Sequence, residues 1–312
     1  MTTTNPGPIA DAASDNWVDA WAPTFAKPYL QLARLDRPIG TWLLLFPCWW
    51  GQAYAHLAQG ETWINIWYFV LFAIGALVMR GAGCTWNDIV DRDYDGRVAR
   101  TAARPIPSGQ ISVTQALVFA IALSLIGFLV LIQFNLVTIF VGIASLALVA
   151  AYPYAKRFTY WPQVVLGLTF NWGVLVGWTA ITGEIAWTPL ILYVGAVFWT
   201  IAYDTIYAHQ DSEDDALLGL KSTALNFGDK TRMCIGAFFA AAAICWLIAG
   251  FAAGAQGPYF LMVLAAGAHF AWQTVTLDPH NTENCLVRFR ANRWVGWIIL
   301  IGLCLEILLL QF

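Results

Sequence analysis

Residues 66–84 read IWYFVLFAIGALVMRGAGC, and the chain then turns polar at once, as TWNDIVDRDYDGRVAR over 85–100. The first stretch is nineteen residues with Arg80 as its single charge, about the length a helix needs to cross a hydrocarbon core of roughly 30 Å. Its apolar run is continuous and does not alternate with period two, which excludes a membrane β-barrel and leaves a helical span.

The same reading carried outward gives eight more spans, at 39–57, 111–132, 136–154, 161–182, 187–208, 233–254, 257–277 and 293–311. Composition agrees: 59% of the 312 residues are hydrophobic and 11% charged, against roughly a quarter charged in a typical soluble domain. A net charge of −3 with no basic patch argues against nucleic-acid binding, and no protein partner is indicated. Six cysteines without CxxC spacing read as small hydrophobes. The expected fold is all-α, a polytopic membrane protein of nine transmembrane helices surrounded by lipid.

Residues 1–28 are expected to be a polar cytosolic tail and 29–312 a single transmembrane domain. The first 26 residues hold no Lys or Arg, so they lack the basic region of a signal peptide and the arginines of a transit peptide, and they are expected to be disordered. Trp17, Trp21 and Phe25, at i, i+4 and i+8, suggest a short helix on the membrane surface at the end of this tail.

All sixteen basic residues fall on one side of this span map. Lys27, Arg34 and Arg37 precede the first span, and Arg80, Arg92, Arg97, Arg100 and Arg104 end the second or precede the third. The rest lie in the later connections of the same parity, at Lys156 and Arg157, at Lys221, Lys230 and Arg232, and at Arg288, Arg290 and Arg293. The opposite connections are short and carry none. The positive-inside rule then places the N-terminus inside and the C-terminus outside, in a membrane expected to be a bacterial inner membrane.

Acidic residues follow a second pattern. In a helix continued past residue 84, Asn87, Asp91 and Asp95 are i, i+4 and i+8, and Asp88 joins Asp91 and Asp95 on that face. The end of the sixth span repeats the arrangement as YDTIYAHQDSEDD over 203–215, where Asp204, Asp211 and Asp215 share a face and Asp214 lies close by. Four spans separate the two motifs, so both open on the cytoplasmic side. Asp204 lies within an otherwise apolar span, where an ionisable group is costly and marks a functional cavity. Oxygen ligands without His or Cys suit Mg2+ shared with a substrate phosphate, so two acidic faces form a plausible diphosphate clamp. The four histidines form no site; only His209 lies near these carboxylates.

RLDRPIG (34–40), NDIVDRDYD (87–95), YPYAKR (152–157) and the second acidic motif followed by KST (221–223) stand in an order that resembles the UbiA superfamily of intramembrane prenyltransferases. Within it the match is to the branch that prenylates 4-hydroxybenzoate in ubiquinone biosynthesis. The resemblance implies helices around a central cavity, with Mg2+ and a polyprenyl diphosphate held after the second and sixth. It assigns Asp88, Asp91, Asp95, Asp211 and Asp215 to the metal, and Asn87 as an added amide ligand. Lys156, Arg97 and Lys221 are expected to contact phosphate, and Arg34 or Arg157 the carboxylate of the aromatic acid. Tyr152 matches the family's YxxxK pattern with Lys156, and Asp204 or Asp211 would take the ring proton. Rival readings are a different aromatic acceptor in the same fold or, in another class, a divalent-cation transporter, whose carboxylates belong nearer the bilayer midplane.

Overall fold

The computed structural model describes residues 16–98 and 100–310, in which helices are joined by turns and loops and no strand occurs. In chain order they are α1 (Trp17–Trp21), α2 (Lys27–Leu32), α3 (Ile39–Ala58), α4 (Ile66–Asp95), α5 (Val113–Leu131), α6 (Leu136–Phe158) and α7 (Pro162–Asn171). There follow α8 (Gly173–Thr182), α9 (Thr188–Ala208), α10 (Ser212–Leu217), α11 (Thr223–Phe227), α12 (Thr231–Ala252), α13 (Pro258–Thr276) and α14 (Thr282–Leu309).

Each of the nine expected spans falls on this series. The 161–182 span is two helices, α7 and α8, broken at Trp172, whose indole donates to the carbonyl of Val141 at 2.8 Å. Among the described residues, seven of these spans are long and apolar enough to cross a membrane. The other two, α3 and α13, carry Gln52 and His56, and His269 and Gln273, within their length.

The chain divides into two compact units, residues 1–41 with 73–130 and residues 42–72 with 131–312. The first has a core of Leu32, Ile89, Ile106, Ile111 and Ala116, against which Tyr29 and Phe119 pack. Ile106 and Ile111 come from the loop after α4, which therefore folds back on the acidic end of that helix. A reciprocal capping box opens α5: Gln115 N–H donates to Ser112 Oγ and Ser112 N–H to Gln115 Oε1.

The expected tail needs correction here. From Asn16 onward the chain is folded, Val18 is fully buried, and the boundary at residue 28 falls inside α2. The expected surface helix stops at Trp21, while Trp21 and Phe25 are strongly exposed. Residues 1–15 lie outside the described residues.

In the second unit α9 is the central helix, packed against α7, α8, α12 and α14. Trp199 on α9 is fully buried, packs tilted against Trp50 and edge-on against Tyr203, and donates to Asn292 Oδ1 at 2.7 Å. Asn292 also exchanges hydrogen bonds with Gln273, so three helices share one satisfied polar knot. The helices α3 and α8 touch backbone to backbone at Gly177, where a Cβ would overlap the Cys48 carbonyl.

Candidate active site

The helix α4 runs unbroken to Asp95, so the expected spacing of the first acidic motif becomes a real face. Asp88, Asp91 and Asp95 are buried, while Arg92 and Asp93 between them are exposed. Asn87 Nδ2 donates to Asp91 Oδ2 at 3.2 Å, the i to i+4 pair the spacing predicts. Thr101 closes the following loop by donating its hydroxyl to the Asp95 carbonyl at 2.8 Å.

Asp88 and Asp95 are neutralised by arginines brought in from outside the helix. Arg34 Nη2 donates to Asp88 Oδ1 at 2.6 Å, and Arg104 Nη1 reaches Asp95 Oδ2 at 2.7 Å and Asp88 Oδ1 at 3.4 Å. Burial opposes the Arg34 charge most strongly, but Asp88, Cys84 and Asp36 together outweigh it and raise the guanidinium's pKa above its ordinary value. Asp88 Oδ2 is buried and accepts no hydrogen bond from the described residues.

Arg34 reaches Asp88 from an unusual backbone. Its N–H donates to Gln31 C=O and that of Leu35 to Leu30 C=O, the two bonds of a Schellman helix ending. The residue between them must be left-handed, a place glycine normally fills; here it is arginine, with φ 59°. A non-glycine residue held there costs on the order of 1–3 kcal/mol, and such strain concentrates at functional sites.

A further cation was counted at the sequence level only as a topological charge. Arg80 lies on the α4 face that carries Asn87 and Asp91, seven residues from Asn87, which is about 10 Å along a helix. Its guanidinium rests over Gly40, where a Cβ would stand 2.5 Å from Nη2. An arginine inside an apolar span, with a glycine beneath it, is the signal that could have identified it.

The second motif lies in the other unit. Asp204 is half-buried inside α9, Asp211 follows the end of that helix, and Asp215 N–H donates to the Asp211 carbonyl at 2.8 Å around the short α10. The KST segment is docked firmly: Lys221 N–H donates to the Lys156 carbonyl, and Thr223 N–H to Gln163 Oε1. The hydroxyls of Thr223 and Thr205 meet at 2.6 Å. Lys156 and Lys221 are thus joined through their backbones, but the Lys221 ammonium lies on Phe158 C=O and over the Tyr160 ring. Arg157 stacks on Tyr154, Tyr152 is half-buried one turn before Lys156, and Arg97 is exposed.

The structure therefore gathers Asn87, Asp88, Asp91, Asp95 and Arg34, and adds Arg104, which the sequence did not single out. Among the described residues no three His, Cys, Asp or Glu side chains are grouped as a ready metal site. The cause in the first motif is visible: Asp88 and Asp95 are turned onto arginines. The donor chemistry still fits a hard divalent cation, since it is all carboxylate and amide oxygen and Asp88 offers a buried oxygen without a donor.

A model of the UbiA prenyltransferase family matches residues 44–296. A mouse protein named "4-hydroxybenzoate polyprenyltransferase, mitochondrial" is 49% identical over 288 residues, 91% of this chain and 76% of its own length. The protein of the same name from Aedes aegypti is 46% identical over 89% of this chain, which spans 63% of that relative's length. Among solved structures, the apo UbiA homolog from Aeropyrum pernix K1 superposes with a TM-score of 0.73 at 24% identity, covering 84% of this chain and 97% of that one. A UbiA homolog from Archaeoglobus fulgidus bound to GPP and Mg2+ gives 0.64 at 18% identity, covering 90% and 99%. At these identities the two structures speak for the fold.

Proposed function

The chain belongs to the UbiA prenyltransferase family, and from that footing we propose that it transfers a polyprenyl group from polyprenyl diphosphate to the ring of 4-hydroxybenzoate, ortho to the hydroxyl, in ubiquinone biosynthesis. The observation that carries this reading is the 49% identity to the mouse 4-hydroxybenzoate polyprenyltransferase over 91% of the chain.

In this reading Asp88, Asp91, Asp95, Asp211 and Asp215 hold Mg2+, with Asn87 as an amide ligand. The metal supplies Lewis-acid neutralisation of the departing diphosphate. The chain's own residues do the rest. Lys156, Lys221 and Arg97 bind phosphate oxygens as point charges or forks. The C–O bond of the allylic diphosphate breaks, a ring carbon of the phenol takes the allylic carbon, and the displaced ring proton passes to Asp204 or Asp211. Apolar spans exclude the water that would quench the cation. The acid's carboxylate needs an arginine. Arg34 already spends Nη2 on Asp88 and Nη1 on the Gln31 carbonyl. By its place on the Asn87 and Asp91 face, Arg80 joins Arg34 and Arg157 as a candidate for that anchor.

The protein is an integral membrane protein, and the site belongs to the face that carries the basic residues, the cytoplasmic face in the positive-inside reading. Its relatives from mouse and mosquito are named mitochondrial and lend no support to a bacterial inner membrane. The deciding experiment incubates the purified protein in lipid with labelled polyprenyl diphosphate and 4-hydroxybenzoate. A labelled lipid-soluble aromatic acid, formed only with Mg2+, is expected. Product with another phenol and none with 4-hydroxybenzoate would move the protein to a different acceptor, and no product with any acceptor would overturn the enzyme reading.

A further inference from the structure

We propose that the segment 16–21 is a positioning device for the site: Trp17 and Asp19 hold the turn at 34–36, and through it keep the Arg34 guanidinium on Asp88. The proposal rests on the reading above only in treating the first acidic motif as catalytic. Its observations all lie within one compact unit.

A Schellman ending with arginine in the left-handed position is strained, so neighbours must hold it. Trp17 Nε1 donates to the Leu35 carbonyl at 2.9 Å, fixing the peptide that joins Leu35 to Asp36, one residue past Arg34. Asp19 Oδ1 accepts from Gln31 Nε2 at 3.1 Å, and Lys27 Nζ donates to the Asp19 carbonyl at 2.7 Å. Asn16 orients Asp19 from the other side, accepting from its N–H and donating to Oδ2. The Gln31 carbonyl then accepts both the Arg34 N–H and Arg34 Nη1. The result is one polar line, Asn16 to Asp19 to Gln31 to Arg34 to Asp88 to Arg104 to Asp95, from the first described residue to the end of the acidic motif. Val18, fully buried, seats the short helix that carries it. Trp17 bonds Leu35 and Asp19 bonds Gln31, so both act on the acidic motif through Arg34.

The test uses the full chain in lipid nanodiscs and the variant Trp17→Phe, which keeps a ring and removes the indole donor. Two quantities are read: hydrogen exchange of peptides covering residues 30–36, and kcat/KM for prenyl transfer. Losing one hydrogen bond predicts roughly three- to tenfold faster exchange at Arg34 and Leu35. The same factor is expected in kcat/KM in the native background, with no further fall in an Arg34→Lys background, because the two changes break one line of contacts. Asp19→Ala, which cuts the second tether, is expected to repeat the pattern and stands in if Trp17→Phe does not fold. Unchanged exchange, unchanged kinetics, or an equal fall in both backgrounds overturns the proposal, the last because a merely structural loss is additive. Should the native protein transfer no prenyl group, the functional reading fails alone. The exchange experiment, which needs no substrate, then decides whether these residues hold the turn.

Discussion

Arg34 and Asp88 stand 54 positions apart in sequence and meet at 2.6 Å with both side chains buried. A buried pair of this kind gains little over an apolar packing, but removing one partner strands the other charge, at about 3–5 kcal/mol. Arg104, 3.4 Å from the same Asp88 oxygen, softens that loss. The pair is better understood as setting the shape of the acidic motif than as a source of stability.

The left-handed backbone of Arg34 makes a separable prediction. Arg34→Ala and Arg34→Gly both delete the guanidinium, so both should lose most activity. Glycine accepts φ 59° without strain and alanine does not, so the glycine variant should be the more stable by about 1 kcal/mol. Thermal unfolding of the two variants side by side measures this. Equal melting temperatures would show that the turn carries no strain.

For the acidic motifs, Asp91→Ala or Asp211→Ala should abolish turnover while each variant still inserts and purifies as the native protein does. Turnover assayed across a range of Mg2+ concentrations checks this. Near-native turnover in either variant would remove that motif from the diphosphate clamp.

Much of this architecture is legible in the sequence, and the misses share physical causes. Hydropathy reports where lipid ends, whereas a helix ends where its backbone bonds do. Hence α4 continues eleven residues beyond the expected end at 84, α6 passes Pro153 to reach Phe158, and α14 begins at Thr282 behind an Asn281 cap rather than at 293. The buried face of Asp88, Asp91 and Asp95 follows from helical spacing, a local property. What answers those charges does not: Arg34 and Arg104 are brought in by a strained turn and a folded-back loop, and no periodicity encodes either. The segment after Asn16 misled for a related reason. Its polar composition reads as disorder, yet Trp17 and Asp19 spend their side chains on Leu35 and Gln31, contacts that only the tertiary fold supplies.

His209, just past the end of α9, gives a pH signature. Burial first, then the neighbouring His280, lower its pKa from the ordinary 6.5 to about 4, and Nε2 lies 3.1 Å from Thr231 Oγ1. Between those two values the unfolded chain binds a proton that the folded chain does not. The stability due to the neutral ring is therefore complete above pH 6.5 and is lost as pH falls toward 4. His209→Gln should flatten this part of the melting temperature against pH, measured as a difference from the native protein. Parallel curves for the two would mean that His209 titrates alike in both states.

Arg80 and Arg34 can be told apart by which substrate each variant misses. If Arg80 receives the carboxylate of the aromatic acid, Arg80→Ala removes an interaction common to ground and transition states. The KM for 4-hydroxybenzoate should then rise, by roughly tenfold or more for a lost charged hydrogen bond, with kcat and the KM for the prenyl diphosphate much less changed. The defect should shrink for a phenol lacking the carboxylate, and Arg80→Lys should restore only part, since an ammonium cannot reproduce a bidentate guanidinium contact. Arg34→Ala should instead lower kcat and weaken the diphosphate side, because it disturbs Asp88 in the acidic motif. Steady-state kinetics with each substrate varied in turn separates the two patterns. If the acid's KM rises only in Arg34→Ala, the anchor returns to Arg34, and Arg80 is left as a packing partner of Gly40.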